Sequence, residues 1–294
     1  MRFPPDCSCD CHVHVIGPKA QFPLRETRAY TPMDATCTEL VEQMARTGVA
    51  RSVLIQTSVF GTDNSCLLDG LRQLGAARAR GVVVPEPAVA TVEQDHWHTL
   101  GVRGVRLNLT SGGTPSLTTI RQHINSVLPI CERNGWHLQF FLPAAVISAI
   151  AVDLSELPVP CVLDHFGLLS LLDERSQHQL EHEAAILNLL ETGKLWVKLS
   201  GTYRIADDRH HPGIGALARR LHQTNPQRTL WASDWPHTPA HVSSAADGSA
   251  DEAQPYRGID SRLLLAEFAE WFADADDQHQ ILVANPAELY CFDT

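Results

Sequence analysis

Apolar residues gather in eight short runs along the chain, near 8–16, 51–57, 81–86, 102–108, 136–142, 160–165, 195–200 and 229–234. Runs such as Ser52-Val53-Leu54-Ile55 and Gly81-Val82-Val83-Val84 are brief and β-branched, the pattern of strands buried on both faces. Between them the period lengthens to that of a helix. Thr38–Arg46 sets Leu40, Val41 and Met44 on one side and meets a stop at Gly48. Asn64–Arg80, Leu117–Asn134, Ser176–Thr192 and Ile214–Gln223 read as helices, with Pro129 as a kink, and Asp260–Phe272 and Asp276–Leu289 read as terminal ones. Strand and helix alternating eight times predict a parallel sheet closed into a (β/α)8 TIM barrel, one domain over residues 1–294. An open doubly wound sheet is the alternative, but no Gly-x-Gly-x-x-Gly follows the first strand. Two irregular stretches, Gly17–Asp34 and His237–Gly258, would lie over the mouth of the barrel.

Composition narrows the function. A formal net charge of -11 without a basic stripe argues against nucleic acid and anionic membrane as partners. There is no run of about 18 apolar residues to span a bilayer. No secretory pattern opens the sequence, so a cytoplasmic location is expected. The eight cysteines read as reduced thiols. Cys7, Cys9 and Cys11 alternate and are expected to pack on the face of the first strand opposite His12 and His14. A thiolate metal site is the rival reading, but three ligands on one strand close a tetrahedron poorly. Oligomeric state is not readable.

The chemistry sits where the apolar runs end. Asp10-Cys11-His12-Val13-His14 closes the first, Val162-Leu163-Asp164-His165 the sixth, and Trp231-Ala232-Ser233-Asp234-Trp235 the eighth. Period two puts Asp10, His12 and His14 on one face. A barrel would gather His12, His14, His165 and Asp234 at one mouth. Imidazole and carboxylate ligands make a single Zn²⁺ geometrically possible there. On the fourth strand stand Arg106 and Asn108, and on the fifth Gln139, with His137 at the wrong end for that mouth.

These signatures, with Tyr30-Thr31-Pro32, Gln56-Thr57-Ser58, Gly104-Val105-Arg106-Leu107-Asn108, Asp164-His165-Phe166-Gly167, Trp196-Val197-Lys198-Leu199-Ser200-Gly201 and Ser233-Asp234-Trp235-Pro236-His237, resemble the amidohydrolase superfamily. The closer resemblance is to its lactone-hydrolase branch, which holds pyrone-dicarboxylate and sugar-acid lactonases. It implies a hydrolase that opens a small lactone. Asp234 would activate water, and His12, His14 and His165 would stabilise the oxyanion. Binuclear members of that superfamily carry a lysine on the fourth strand and a histidine on the fifth. Arg106, Asn108 and Gln139 supply neither, so the resemblance implies no binuclear centre. It further implies that no metal is required, one Zn²⁺ on His12, His14, His165 and Asp234 being the alternative. Arg106 and Arg204 would hold a carboxylate, and Tyr30, Gln56, Ser58, Gln139, Lys198 and His237 would complete the substrate site. Lys198 is also read as pairing with Asp164 or Asp234. A lactone isomerase, a Zn-dependent decarboxylase and a non-catalytic binding barrel are the competing functions. Phe141 stands where the pyrone-dicarboxylate branch has Tyr, Leu168 where it has Arg, and Asn108–Gly113 carries no second arginine. A lactone with at most one carboxylate is therefore expected.

Overall fold

A computed structural model of the chain describes residues 3–109, 115–171, 176–239 and 252–293. Eight strands form one sheet in sequence order, every neighbouring pair parallel. They are β1 (Cys9–Val13), β2 (Arg51–Ile55), β3 (Ala79–Val83), β4 (Val102–Asn108), β5 (His137–Phe141), β6 (Cys161–Leu163), β7 (Leu195–Leu199) and β8 (Thr229–Trp231). Beyond the ends of β8 and β1, His14 N–H donates to Trp235 O at 2.8 Å and Asp234 N–H to His12 O at 3.0 Å. Those two bonds bring the first and last strands together, as the barrel reading expects.

The helices start and stop on local chemistry. In α1 (Cys37–Thr47) the Thr36 hydroxyl and the Glu39 carboxylate cap each other's backbone, and Gly48 ends it at φ 79°. The helix α2 (Ser65–Leu74) stops at Gly75, well short of Arg80. Gly75 takes φ 77°, and Arg80 lies instead in β3, its Nε donating to Tyr290 O at 2.9 Å. A helix over Thr91–Leu100 (α3) has no counterpart in the sequence reading, because its face carries only Gln94 and Trp97 to the core. The helix α4 (Leu117–Asn134) runs on through Pro129. After it come α5 (Ala144–Ala149), α6 (Ala151–Glu156), α7 (Gln177–Glu191), α8 (Gly213–Thr224) and α9 (Ser261–Trp271). The last expected helix is broken into α10 (Ala275–His279), a π turn and α11 (Asn285–Tyr290). Among the described residues no helix is long and apolar enough to cross a membrane.

Alternate strand residues serve two cores. Leu54, Val105, Leu138 and Leu163 pack under the helices. Val53, Val82, Val162 and Leu230 form a second cluster, closed by Tyr290 and Phe292 from the C-terminal segment. Cys9 and Cys11 belong to that second cluster, while Cys7 is exposed. The expected separation of cysteines from histidines fails because the register between β1 and β2 shifts between Asp10 and Val13. Asp10 likewise leaves the histidine face: its Oδ1 accepts from the backbone N–H of Ser233 at 2.9 Å and of His12 at 3.3 Å. The two irregular stretches meet above the barrel, where Thr31–Pro32 pairs in parallel with Ala253–Gln254.

Gly104 shows how tightly the floor is filled. A Cβ there would lie 2.3 Å from the His137 ring, which is itself buried. Gly104→Ala should destabilise the protein by about 1–3 kcal/mol through overpacking, measured as a lower urea midpoint. An unchanged midpoint would show that the His137 ring can move aside.

Candidate active site

Every expected catalytic residue lies at the carboxyl end of a strand. His12 and His14 come from β1, His165 follows β6 and Asp234 follows β8. The chain at those ends is bent for the purpose. His165, Phe166 and Leu168 after β6, and Asp234 and His237 after β8, all take positive φ, between 51° and 66°. Such backbone costs on the order of 1–3 kcal/mol per residue and collects at functional sites. Gly201, at φ 59°, leaves room for the His165 ring, whose Nδ1 would sit 2.7 Å from any Cβ there.

The two oxygens of Asp234 have different tasks. Oδ2 accepts from the Tyr203 hydroxyl at 2.7 Å and from Arg204 Nε at 2.8 Å. Oδ1 has no hydrogen-bond partner and is buried. It faces His12 Nε2 and His14 Nε2, each at 3.6 Å, and His165 Nε2 at 3.9 Å. Burial raises the Asp234 carboxyl, but Arg204, followed by His165, His14 and His12, outweighs it and holds the group well below the usual carboxylate range.

The histidine protons can be placed from their partners. His14 Nδ1 lies 2.8 Å from Ile55 O, and a carbonyl only accepts, so Nδ1 carries the proton. His12 Nδ1 has two neighbours, Asp164 Oδ1 at 3.1 Å and Lys198 Nζ at 3.4 Å. The carboxylate is closer, and the ammonium donates to Gln139 Oε1 at 2.8 Å, so His12 also carries its proton on Nδ1. Burial pushes His12 well down, against the pull of Asp164, and pushes His165 down to about 3. His12 is therefore neutral. The bare Nε2 of His12 points toward Asp234 Oδ1, lone pair against lone pair. His12 Nε2 is buried without a hydrogen-bond partner, like the oxygen it faces.

That arrangement suits a cation. One ligand atom each from His12, His165 and Asp234 lies within 4.8 Å of the others, a separation that donors sharing one ion can have. His12, whose other nitrogen is held by a carboxylate, has the outer-sphere partner usual for a metal-binding imidazole. The metal-free expectation asks His12 to donate from Nε2, but its proton is spent on Asp164.

Asp164 is the second hub. Its Oδ2 accepts from Arg106 Nε at 3.1 Å and Nη2 at 3.0 Å, and its Oδ1 from Gln139 Nε2 at 2.8 Å, with Lys198 Nζ at 3.5 Å. Burial raises Asp164, but His12, Arg106 and Lys198 hold it well below its ordinary value. The arginines expected to be free for substrate are thus each engaged, Arg106 with Asp164 and Arg204 with Asp234, although both still line the reaction space. Gln139 and Lys198 are fully buried and do not reach its wall. Gln56 spends its amide on Gly61 O and Asp63 O. His237 turns away, 3.0 Å from Ser261 Oγ. Tyr30 and Ser58 do line the reaction space, together with Thr57, Asn108, Phe141 and Thr238. The sequence reading missed Tyr203, although it lies beside Arg204. The arginine-free turn after Arg106 falls at residues 110–113, outside the described residues.

Histidines and a carboxylate at the carboxyl ends of eight parallel strands define a barrel hydrolase site of the amidohydrolase type. The chain belongs to that family, whose model, described as Amidohydrolase, matches residues 9–292. It is 30% identical over 293 residues to the 4-sulfomuconolactone hydrolase of Hydrogenophaga intermedia, covering 99% of this chain and 91% of the relative. It is 28% identical over 297 residues to the 2-pyrone-4,6-dicarboxylate hydrolase of Comamonas testosteroni, covering 97% and 90%. A solved Pseudomonas putida structure assigned as a 2-pyrone-4,6-dicarboxylic acid hydrolase superposes with a TM-score of 0.80 at 28% identity, covering 98% of each chain.

Buried neutral imidazoles make the protein acid-sensitive. Burial pushes His137 and His165 down to about 3 and His237 down to about 4. In the unfolded chain all three protonate near pH ~6.5. Below that pH the unfolded state binds more protons, so stability falls as pH drops toward 4. Asp10, pushed up to about 6 by burial, opposes this with one proton against three. The urea midpoint of chelator-treated protein should be clearly lower at pH 4.5 than at 7.5. Equal midpoints would mean that the imidazoles are solvated or paired.

Proposed function

We propose that the protein hydrolyses small lactones, with one divalent metal held by His12, His165 and Asp234 and with His14 facing the same point. The observation that carries the metal is the pair of buried, unpartnered atoms, His12 Nε2 and Asp234 Oδ1, facing each other at 3.6 Å. Bound there, Zn²⁺ would polarise the lactone carbonyl and lower the pKa of a neighbouring water. The kinship with lactone hydrolases supports the substrate class.

The chain's own groups have separable roles. Arg204 and Tyr203 fix Oδ2 of Asp234, which leaves Oδ1 to accept the proton of the attacking water. The same carboxyl then returns that proton to the ring oxygen as the acyl–oxygen bond breaks, so water is consumed and a hydroxy acid is formed. A carboxylate held well below its ordinary pKa is a poor base toward free water, whose pKa is about 15.7. The site therefore needs the water acidified, which is a second argument for the cation. Tyr30, kept protonated by burial, and Ser58 offer hydroxyl donors to the ring substituents. With Arg106 and Arg204 already paired, the inner site suits an uncharged ring carbonyl rather than a second carboxylate.

A lactone panel read with a pH indicator tests the reading directly. Product mass should rise by one water; a product of unchanged mass would make the protein an isomerase. Asp234→Asn should lower kcat by about 10²–10⁴-fold, the usual worth of a general base. Near-normal turnover would take Asp234 out of the mechanism. Purified protein should contain about one equivalent of metal per chain, as expected for a single-ion site. Stripping it should abolish hydrolysis, and Zn²⁺ should restore it. Full activity in a metal-free preparation would return the histidines to the donor role implied by the sequence resemblance.

A further inference from the structure

Neighbouring strands of the barrel are joined by ladders, except where the last meets the first. Among the described residues that seam has a single bridge, Val13 with Trp235, past the end of β8. The reacting groups stand on either side of it, His12 and His14 from β1 and Asp234 after β8. Two backbone hydrogen bonds cross the seam, from His14 N–H to Trp235 O at 2.8 Å and from Asp234 N–H to His12 O at 3.0 Å. A third ends on a side chain. Ser233 N–H donates to Asp10 Oδ1 at 2.9 Å, and the same oxygen accepts the N–H of His12 at 3.3 Å.

The structure assigns Asp10 as a positioning residue, whose carboxylate ties Ser233 to His12 across the seam and so sets Asp234 against His12. Asp10 is 4% exposed, and these two partners are backbone N–H groups, where Asp164 and Asp234 have arginines. Burying an ionised carboxylate away from a cation is costly, and an ordinary ladder would use a carbonyl at no such cost. β1 is irregular at this point, its register shifting between Asp10 and Val13, and the carboxylate stands in for the carbonyl. Ser233 directly precedes Asp234, whose φ is 64°. On the far side of that bend the Ser233 hydroxyl accepts from Trp235 N–H at 3.0 Å. Ser233 is thus held at both its N–H and its hydroxyl, which keeps the bend from relaxing and Asp234 Oδ1 at 3.6 Å from His12 Nε2. The inference rests on the lactone reading for its activity readout alone.

The test combines lactone kinetics with amide hydrogen exchange in Asp10→Asn, Asp10→Ala and Asp10→Ser. Asn keeps the accepting oxygen and loses the charge, whereas Ala loses both. Ser carries a hydroxyl too short to reach Ser233, and it takes the place of Ala if Asp10→Ala does not fold. Asp10→Ala should lower kcat about 10–100-fold, the effect of a displaced reacting group, with KM little changed. Asp10→Asn should retain most of the activity. Peptides over residues 229–235 should lose about tenfold in exchange protection in Asp10→Ala, the worth of one hydrogen bond, while those of β4 and β5 keep theirs. Asp10→Asn as impaired as Asp10→Ala would overturn the inference, since the charge and not the tie would then matter. Wild-type kcat in Asp10→Ala, or protection lost equally throughout the barrel, would overturn it too. If wild type opens no lactone, the lactone reading fails and the exchange alone decides: loss confined to the seam supports the tie, and uniform loss or none refutes it.

Discussion

Two ionised carboxylates stand where almost no water reaches, and the site is built around satisfying them. Asp164 and Asp234 are at most 1% exposed. A charge buried unpaired costs several kcal/mol, so each must be met by cations and hydrogen bonds of good geometry. Asp164 draws in Arg106, Gln139, Lys198 and the Nδ1 proton of His12. Asp234 draws in Arg204 and Tyr203, but only on one oxygen. The first set decides the tautomer of His12. That tautomer sends a lone pair toward the remaining oxygen of Asp234, and the excess of acceptors there asks for a cation. One electrostatic requirement, set at Asp164, thus reaches the open oxygen of Asp234 through a single imidazole ring.

The backbone meets the same requirement in a different way. A strand that simply ran on past β6 or β8 would alternate its side chains between core and barrel. Positive φ at His165 and Asp234 turns each side chain inward at the step where the strand stops. No glycine stands at either position, so the strain is retained in exchange for the side chain. At Gly201 the opposite choice is made, because a side chain there would displace His165. Tight packing and strain are both placed so that Nε2 of His165 meets Oδ1 of Asp234.

The barrel was legible because its signals are local. Short β-branched runs, a helical period and glycine stops at Gly48 and Gly135 mark where each unit begins and ends. The gathering of His12, His14, His165 and Asp234 at one mouth was legible for the same reason, since each closes an apolar run. What could not be read depended on contacts between distant segments. The register shift in β1 comes from pairing with β2, and it reassigned both Asp10 and Cys11. Arg106 and Asp164 are 58 residues apart, so their ion pair is not visible along the chain. The helix Thr91–Leu100 escaped notice because only Gln94 and Trp97 of it are buried, too few to show a period.

The acidic balance of the protein does not oppose an anionic substrate. At physiological salt the Debye length is about 8 Å, so exposed charges beyond that distance contribute little at the cavity. The charges that count are those lining it, and these fall into two layers. In the inner layer Arg106 meets Asp164 and Arg204 meets Asp234, so guanidinium and carboxylate cancel pair by pair. Lys198 adds charge below, but it is sealed from the substrate by the residues it supports. The outer layer is a cavity of about 480 Å³ lined by Arg25, Arg28 and His123. A net charge of -11 and arginines on the cavity wall are therefore compatible. In the inner layer each guanidinium is balanced by its own carboxylate, so the space beside Asp234 is near-neutral and holds about one water.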